Sequence, residues 1–166
     1  MKDVDSLRKA IDNGETIVPQ KFCKIMFPTV SRTFAINVVK LGATLRFQVL
    51  VSYLLCRIAD TVEDDPLLLP QEKYALLQQF VQIFNSSQWQ KDTKDFTHSC
   101  QKLDTSRVDV FITQNSHYVL ECFFSFPPPI RDHIARWVIE LAKGMGEYAL
   151  RKTDEKTGVT FLTSLE

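Results

Sequence analysis

"CRIADTVEDDP", residues 56–66, ends an apolar run with five charged side chains, Arg57, Asp60, Glu63, Asp64 and Asp65, and then Pro66. Four of the five are acids. The run before it, "RFQVLVSYLLC" (46–56), has the apolar density of a helix that a domain buries. A helical residue turns about 100° from its predecessor. Tyr53, Arg57, Asp60 and Asp64, spaced four, three and four, therefore form one narrow stripe. Arg46 and Val49 extend it backward, and Glu63 borders it. Leu54, Leu55, Ile58 and Val62 point in other directions. A helix that is apolar on most sides and acidic on one is the pattern of a polar site built inside a bundle.

The energetics raise the same question. Asp60 and Asp64 are like charges at i,i+4, which costs about 0.2–0.5 kcal/mol. Acids at a helix C-terminus oppose the macrodipole by about 0.3–1 kcal/mol each when exposed. Arg57 offsets part of this. A local rule broken without structural gain marks a candidate functional site. A divalent cation would remove the conflict, because two carboxylates one turn apart are hard oxygen ligands for Mg²⁺, which also bridges to substrate phosphates. A solvated acidic helix end before a turn accounts for the same D-x-x-x-D spacing. Spacing and composition leave both readings open.

Outward from this segment the pattern is helical almost throughout. "PTVSRTFAINVVKLG" (28–42) carries Phe34, Val38 and Leu41 on one stripe, with Ser31 as candidate N-cap and Gly42 as a stop. Residues 43–65 read as one long helix. "PQEKYALLQQFVQIFNSS" (70–87) starts on Pro70 and aligns Tyr74, Leu77, Val81 and Phe84. Residues 86–105 are polar without periodicity and read as a long loop. "SRVDVFITQNSHYVLECFFSF" (106–126) reads as a single helix stopped by Pro127, Pro128 and Pro129. Gln114 and Asn115 fall in its middle, where a solvent-facing placement is expected. "IRDHIARWVIELAKGMGEYALRK" (130–152) places Ile134, Trp137, Val138, Leu141, Met145 and Tyr148 along one face. Gly144 and Gly146 suit either tight helix packing or close passage of a ligand. His98, His117 and His133 form no ligand pattern. With no competing strand pattern and no repeat, the class is all-α.

The 166 residues suffice for one domain with a sizeable core. At 45% hydrophobic and 24% charged, the composition is that of a globular protein. Lys plus Arg and Asp plus Glu number 20 each. A net charge of zero argues against nucleic acid as the main partner. Cys23, Cys56, Cys100 and Cys122 form no C-x-x-C pair and read as small core residues of a reducing compartment. The polar, amphipathic start "MKDVDSLRKAIDNG" predicts no signal peptide, and no apolar run approaches a membrane span. The expected location is cytoplasmic, with peripheral contact with a bilayer left open.

Three segments, in order, resemble the squalene/phytoene synthase family. "SYLLCRIADTVEDD" (52–65) resembles its first aspartate-rich segment, "DTVEDD" being similar to the squalene-synthase branch. "VSRTFAINV" (30–38) resembles its substrate-diphosphate segment, and "LAKGMGEYALRK" (141–152) its Gly-Met helix. The resemblance implies a class I isoprenoid synthase helical bundle. It implies head-to-head condensation of two farnesyl diphosphates through presqualene diphosphate to squalene, with Mg²⁺ and NADPH. Phytoene or dehydrosqualene synthesis and a non-catalytic helical binding module are the alternatives. By the same resemblance Asp60 and Asp64 would hold Mg²⁺ with help from Glu63. Arg32 and Arg57 would contact diphosphate or the cofactor's phosphate. Ser31, Thr33 and Tyr53 would line the mouth, Tyr53 being grouped with Asp60 and Asp64 as catalytic, and Phe34 would begin an apolar wall.

The family has a second aspartate-rich segment on a later helix. Here "TDEKTGVT" (153–160) and "FLTSLE" (161–166) follow instead. Residues 1–166 are thus expected to be the N-terminal part of a single synthase domain, apparently truncated, with a half-built Mg²⁺ site and apolar faces that favour self-association or pairing with a C-terminal half.

Overall fold

The computed structural model describes residues 2–31, 33–104 and 107–151. These residues form helices and connections only: α1 (Lys2–Asp12), α2 (Pro19–Ser31), α3 (Thr33–Val38), α4 (Ala43–Glu63), α5 (Pro70–Asn85), α6 (Trp89–Ser99), a 3₁₀ turn (Cys100–Lys102), α7 (Val108–Gln114), α8 (Ser116–Phe124) and α9 (Pro128–Ala149). The all-α expectation holds.

The central helix is α4, which packs against α2, α5, α7, α8 and α9. Val51, Leu54, Leu55, Ile58, Ala59 and Val62 are fully buried. They surround most of the helix, as its apolar flanks require. The stripe through Tyr53, Arg57 and Asp60 is only half-buried. Asp64 caps the helix, donating its backbone N–H to Asp60 O at 2.8 Å. Asp65 then turns the chain: Oδ1 accepts the Leu67 N–H at 2.9 Å, an Asx turn. Pro70 opens α5, and Glu72 Oε2 accepts the Leu69 N–H at 3.0 Å, occupying one of the helix's orphan donors.

Several expectations need correction. Ser31 is not an N-cap: it is the last residue of α2, which runs through Pro28. Proline removes one hydrogen bond and clashes one turn back, but buried Phe22, Cys23, Met26 and Phe27 hold this helix to the core. Residues 86–105 are not a long loop. Trp89, Thr93, Phe96 and Cys100 recur at spacings of four, three and four, and α6 buries Thr93 and Phe96. Trp89 stacks on Phe124 at 4.1 Å, and Phe96 meets Phe80 at 5.3 Å. Residues 106–126 are not a single helix, since Asn115 lies between α7 and α8. Gln114 is buried rather than solvent-facing; its Nε2 donates to Cys100 O at 3.2 Å and Leu103 O at 3.3 Å. The amide thus joins the Leu103 N–H on the Cys100 carbonyl and also satisfies the Leu103 carbonyl, where the 3₁₀ turn ends. All four cysteines are free, with Cys23, Cys100 and Cys122 buried and Cys56 half-buried.

In α9 the buried line is Val138, Ala142 and Gly146, whereas Trp137, Leu141 and Tyr148 are exposed. Small residues at i,i+4 let α9 approach α5 closely. A Cβ on Gly146 would lie 3.2 Å from the Tyr74 ring and 3.7 Å from Leu77 Cβ; one on Gly144 meets no atom within 4 Å. The two glycines should therefore respond oppositely. Gly146→Leu overpacks the seam and should cost about 1–3 kcal/mol. Gly144→Ala should add roughly 0.5–1 kcal/mol through helix propensity. Urea denaturation of both variants measures this, and a Gly146→Leu chain as stable as wild type would remove the close-packing account.

Candidate functional site

The acid end of α4 meets α2 and α3 through a connected set of polar and aromatic side chains. Tyr53 Oη donates to Val30 O at 3.1 Å. Arg57 Nη2 donates to Tyr53 Oη at 3.0 Å, and Arg57 Nη1 lies 3.4 Å from Asp60 Oδ2. The sequence stripe thus becomes a physical chain from the α2 backbone to the first aspartate. Phe34 stacks on the Tyr53 ring at 5.3 Å, and Phe27 meets the same ring edge-on at 5.4 Å. Phe34 is 41% exposed, so it borders the site as an open wall.

Of the residues singled out in the sequence, Phe34, Tyr53, Arg57 and Asp60 are brought together. Ser31 is buried beside Val30, while Thr33 and Asp64 are exposed. Glu63 turns elsewhere, lining a hollow of about 460 Å³ with Glu140, Leu141, Gly144, Met145 and Tyr148. Its backbone carbonyl accepts the Lys73 ammonium. Arg32 lies outside the described residues. Sequence reasoning missed Phe27, and it missed Arg107 and Asp109 at the start of α7. Arg107 pairs with Asp109 at 2.5 Å, and Asp109 shares a polar hollow with Arg57. An i,i+2 charge pair carries no helical signal, so only the packing of α7 on α4 reveals it.

Three polar atoms of these segments are orphans: Ser31 Oγ, Arg57 Nε and Asp65 Oδ2 are buried without a hydrogen-bond partner. A buried polar group left unpaired costs about 1–3 kcal/mol. The titration of the acids is also displaced. Burial pushes the Asp60 carboxyl above its ordinary 3.8; Arg57 pulls it down and Asp64 pushes it up. Burial raises Glu63 above 4.5, reinforced by a hydrogen bond and charge repulsion from Asp64. For Arg57, burial opposes the cation, but Tyr53, Asp60 and Asp109 together outweigh it and hold it charged.

Among the described residues no group of three or more His, Cys, Asp or Glu side chains is gathered to hold a metal ion. Asp60 and Asp64 are a two-carboxylate set. That set fits Mg²⁺, which binds through one or two carboxylates and completes its shell with water and phosphate oxygens. It does not fit an ion held by protein alone. Beyond the site, Leu45, Val49, Ile130 and Ile134 line an apolar hollow of about 400 Å³ between α4 and α9. No helix among the described residues is long and apolar enough to cross a membrane.

Fold and site define a class, the all-α isoprenoid synthase bundle with an acid-ended central helix. The solved complex of TcSQS with the ligand BPH1237 shares the fold with a TM-score of 0.66, at 24% identity over 84% of this chain and 38% of that one. Residues 27–158 match the squalene/phytoene synthase family, and the chain belongs to that family. Squalene synthase of Eremothecium gossypii is 30% identical over 155 residues, covering 93% of this chain and 32% of that protein. Squalene synthase 1 of Arabidopsis thaliana is 26% identical over 152 residues, covering 89% and 34%. The chain thus spans about a third of the length of these curated relatives.

Proposed function

We propose that this chain carries the first Mg²⁺–diphosphate half-site of a squalene-synthase-type transferase, with farnesyl diphosphate as substrate. The full reaction in this reading is head-to-head condensation through presqualene diphosphate to squalene. The observation that carries it is Arg57 Nε, buried without a hydrogen-bond partner on a guanidinium whose Nη1 lies 3.4 Å from Asp60 Oδ2. An anion with oxygen acceptors would satisfy that donor, and a cation on Asp60 and Asp64 would satisfy the acids.

Mg²⁺, when bound, would neutralise the diphosphate as it departs. The chain's own groups do the rest. Arg57 stays charged and offers N–H donors to phosphate oxygens. Tyr53 fixes the guanidinium from one side, and its ring stacks with Phe34 and meets Phe27 edge-on to give the site an aromatic side. The rings also present π faces to positive charge left on carbon. Thr33 borders the mouth, and Glu63 adds negative charge beside Asp64 at the acid end. The apolar hollow between α4 and α9 suits an isoprenoid tail. NADPH enters only through the reaction class. Arg57 already holds Tyr53 and Asp60, and no described residue is assigned to a nicotinamide cofactor. In this reading residues 1–166 are the N-terminal part of one synthase domain, and the relatives' remaining length supplies the facing half of the clamp.

Calorimetric titration with inorganic pyrophosphate, with and without Mg²⁺, tests the half-site. Binding that strengthens with Mg²⁺ supports it, and binding indifferent to Mg²⁺ overturns it. Arg57→Lys should weaken the Mg²⁺-dependent binding roughly tenfold, the worth of one charge-assisted hydrogen bond. An ammonium cannot serve Tyr53, Asp60 and a phosphate in one plane; equal affinity would reduce Arg57 to a helix ion-pair residue. Phytoene or dehydrosqualene synthesis begins with the same condensation, and product analysis separates it. The exposed Trp137, Leu141 and Tyr148 on α9 favour a second reading, a non-catalytic helical module, which predicts no effect of Mg²⁺.

A further inference from the structure

Arg57 is held by Tyr53 and Asp60, both on its own helix. These contacts fix the guanidinium to α4 and, through the Tyr53–Val30 hydrogen bond, to α2, but not to α7 on the opposite rim. One charged group comes from the other side. Asp109, in the first turn of α7, shares with Arg57 a polar hollow of about 290 Å³ whose other lining residues are Thr29, Val30 and Val108. The Asp109 side chain is 19% exposed and is itself immobilised. Arg107 Nε donates to Oδ1 at 3.2 Å and Nη2 to Oδ2 at 2.5 Å. The Val110 backbone N–H also donates to Oδ1, at 3.1 Å. A bidentate guanidinium clamp plus a backbone bond fixes a carboxylate far more firmly than a solvated helix start requires.

We infer that Asp109, clamped by Arg107, is a positioning residue that holds the Arg57 guanidinium across the hollow. The inference rests on the proposed role of Arg57 at a diphosphate. The charges agree with the geometry, for Asp109 is one of the groups that keep Arg57 protonated. Arg107 is in turn held charged by Asp109 first, opposed by its own burial, with Asp65 and Asp64 adding to the effect. The arrangement alternates in sign from Asp60 to Arg57, Asp109 and Arg107. It thereby links the acid end of α4 to α7 without a direct Arg57–Asp109 hydrogen bond.

Charge alone predicts the opposite of positioning. Neutralising an acid beside an anion site tightens anion binding by removing a Coulomb repulsion. Loss of a positioning contact weakens it. The test uses the full chain and two readouts. The first is the ¹⁵Nε–Hε NMR signal of Arg57, assigned by its loss in Arg57→Lys. The second is Mg²⁺-dependent binding of inorganic pyrophosphate. Asp109→Asn should shift or broaden the Arg57 signal and weaken pyrophosphate binding roughly tenfold, a coupling typical of contacting residues. Asp109→Glu should restore both. In the Arg57→Lys background Asp109→Asn should add no further loss, which a merely structural role would not predict. Should Asp109→Asn fail to fold by circular dichroism, Arg107→Gln loosens the same carboxylate and should move the same signal. An unmoved Arg57 signal in a folded variant, or tighter pyrophosphate binding, overturns the inference. Absence of pyrophosphate binding in the wild-type chain would sink the proposed function instead, while the Arg57 signal still decides the positioning.

Discussion

Asp60→Asn and Asp64→Asn, introduced singly, should each abolish the Mg²⁺ dependence of pyrophosphate binding and any turnover of farnesyl diphosphate. In the proposed half-site each change removes one of the two carboxylates that would hold Mg²⁺, an ion that would take its remaining oxygens from phosphate and water. Losing one preorganised group at developing charge typically costs roughly 10²–10³-fold in rate. The stability effect of Asp60→Asn should run the other way. The Asp60 carboxyl titrates above 3.8 because burial disfavours its anion more than Arg57 favours it. The native state therefore binds the proton more tightly than the unfolded chain does. Its contribution to stability is present below the ordinary value and lost as pH rises through the folded one. At neutral pH the ionised Asp60 is a net cost, and the neutral amide removes it. Thermal unfolding at pH 7 without Mg²⁺ should show Asp60→Asn at or above the wild-type midpoint, with the difference shrinking toward pH 4. A variant that loses function and stability together would mean that Asp60 is a structural ion-pair partner of Arg57. Full Mg²⁺-dependent binding in either variant would sink the metal assignment.

The stripe Tyr53, Arg57, Asp60 was legible because helical neighbours at i,i+3 and i,i+4 meet whatever the tertiary structure. The structure turns that spacing into hydrogen bonds at 3.0 and 3.1 Å and an ion pair at 3.4 Å. What was not legible depends on burial and on how the helices run and pack. Asp65 reads as one more surface acid, yet it is 1% exposed and closes the turn onto Leu67. Arg107 and Asp109 belong to the site only because α7 lies on α4. Gln114 reads as mid-helix polarity, but its amide is buried and donates to the Cys100 carbonyl fourteen residues back. Ser31 precedes a helical stripe and so reads as a cap, whereas α2 continues through Pro28 to reach it. In α9 the large apolar residues drew attention to the wrong line: the seam with α5 is set by the smallest side chains, Ala142 and Gly146, because close approach needs small volume.

The α6 segment was the largest omission, and it makes the most demanding stability prediction. Its composition is that of a loop: "WQKDTKDFTHS" has two large apolar residues among eleven. Isolated helices of this length are marginal in water, and most helical stability in proteins comes from packing one face. Here that face is Trp89, Thr93 and Phe96, followed by Cys100. Thr93 hides in the pattern because it counts as polar, although it is buried with Oγ1 donating to Trp89 O at 2.7 Å. Phe96 is therefore the principal fully buried anchor of the helix. It meets Phe80 of α5, which in turn meets Phe84 edge-on at 5.2 Å, and Phe84 meets Phe123 of α8 at 5.2 Å. Phe96→Ala should cost about 3–5 kcal/mol, the transfer free energy of the ring plus the cavity it leaves. Against a typical total of 5–15 kcal/mol, that is a large share of what holds the domain. The loss should appear locally first. Amide hydrogen exchange in residues 89–99 should accelerate before that of α4, because α6 has little helix propensity of its own to fall back on. Denaturant unfolding with exchange read by mass spectrometry measures both. A cost under 1 kcal/mol, or protection in α6 unchanged relative to α4, would mean that the segment is held by something other than its aromatic anchor.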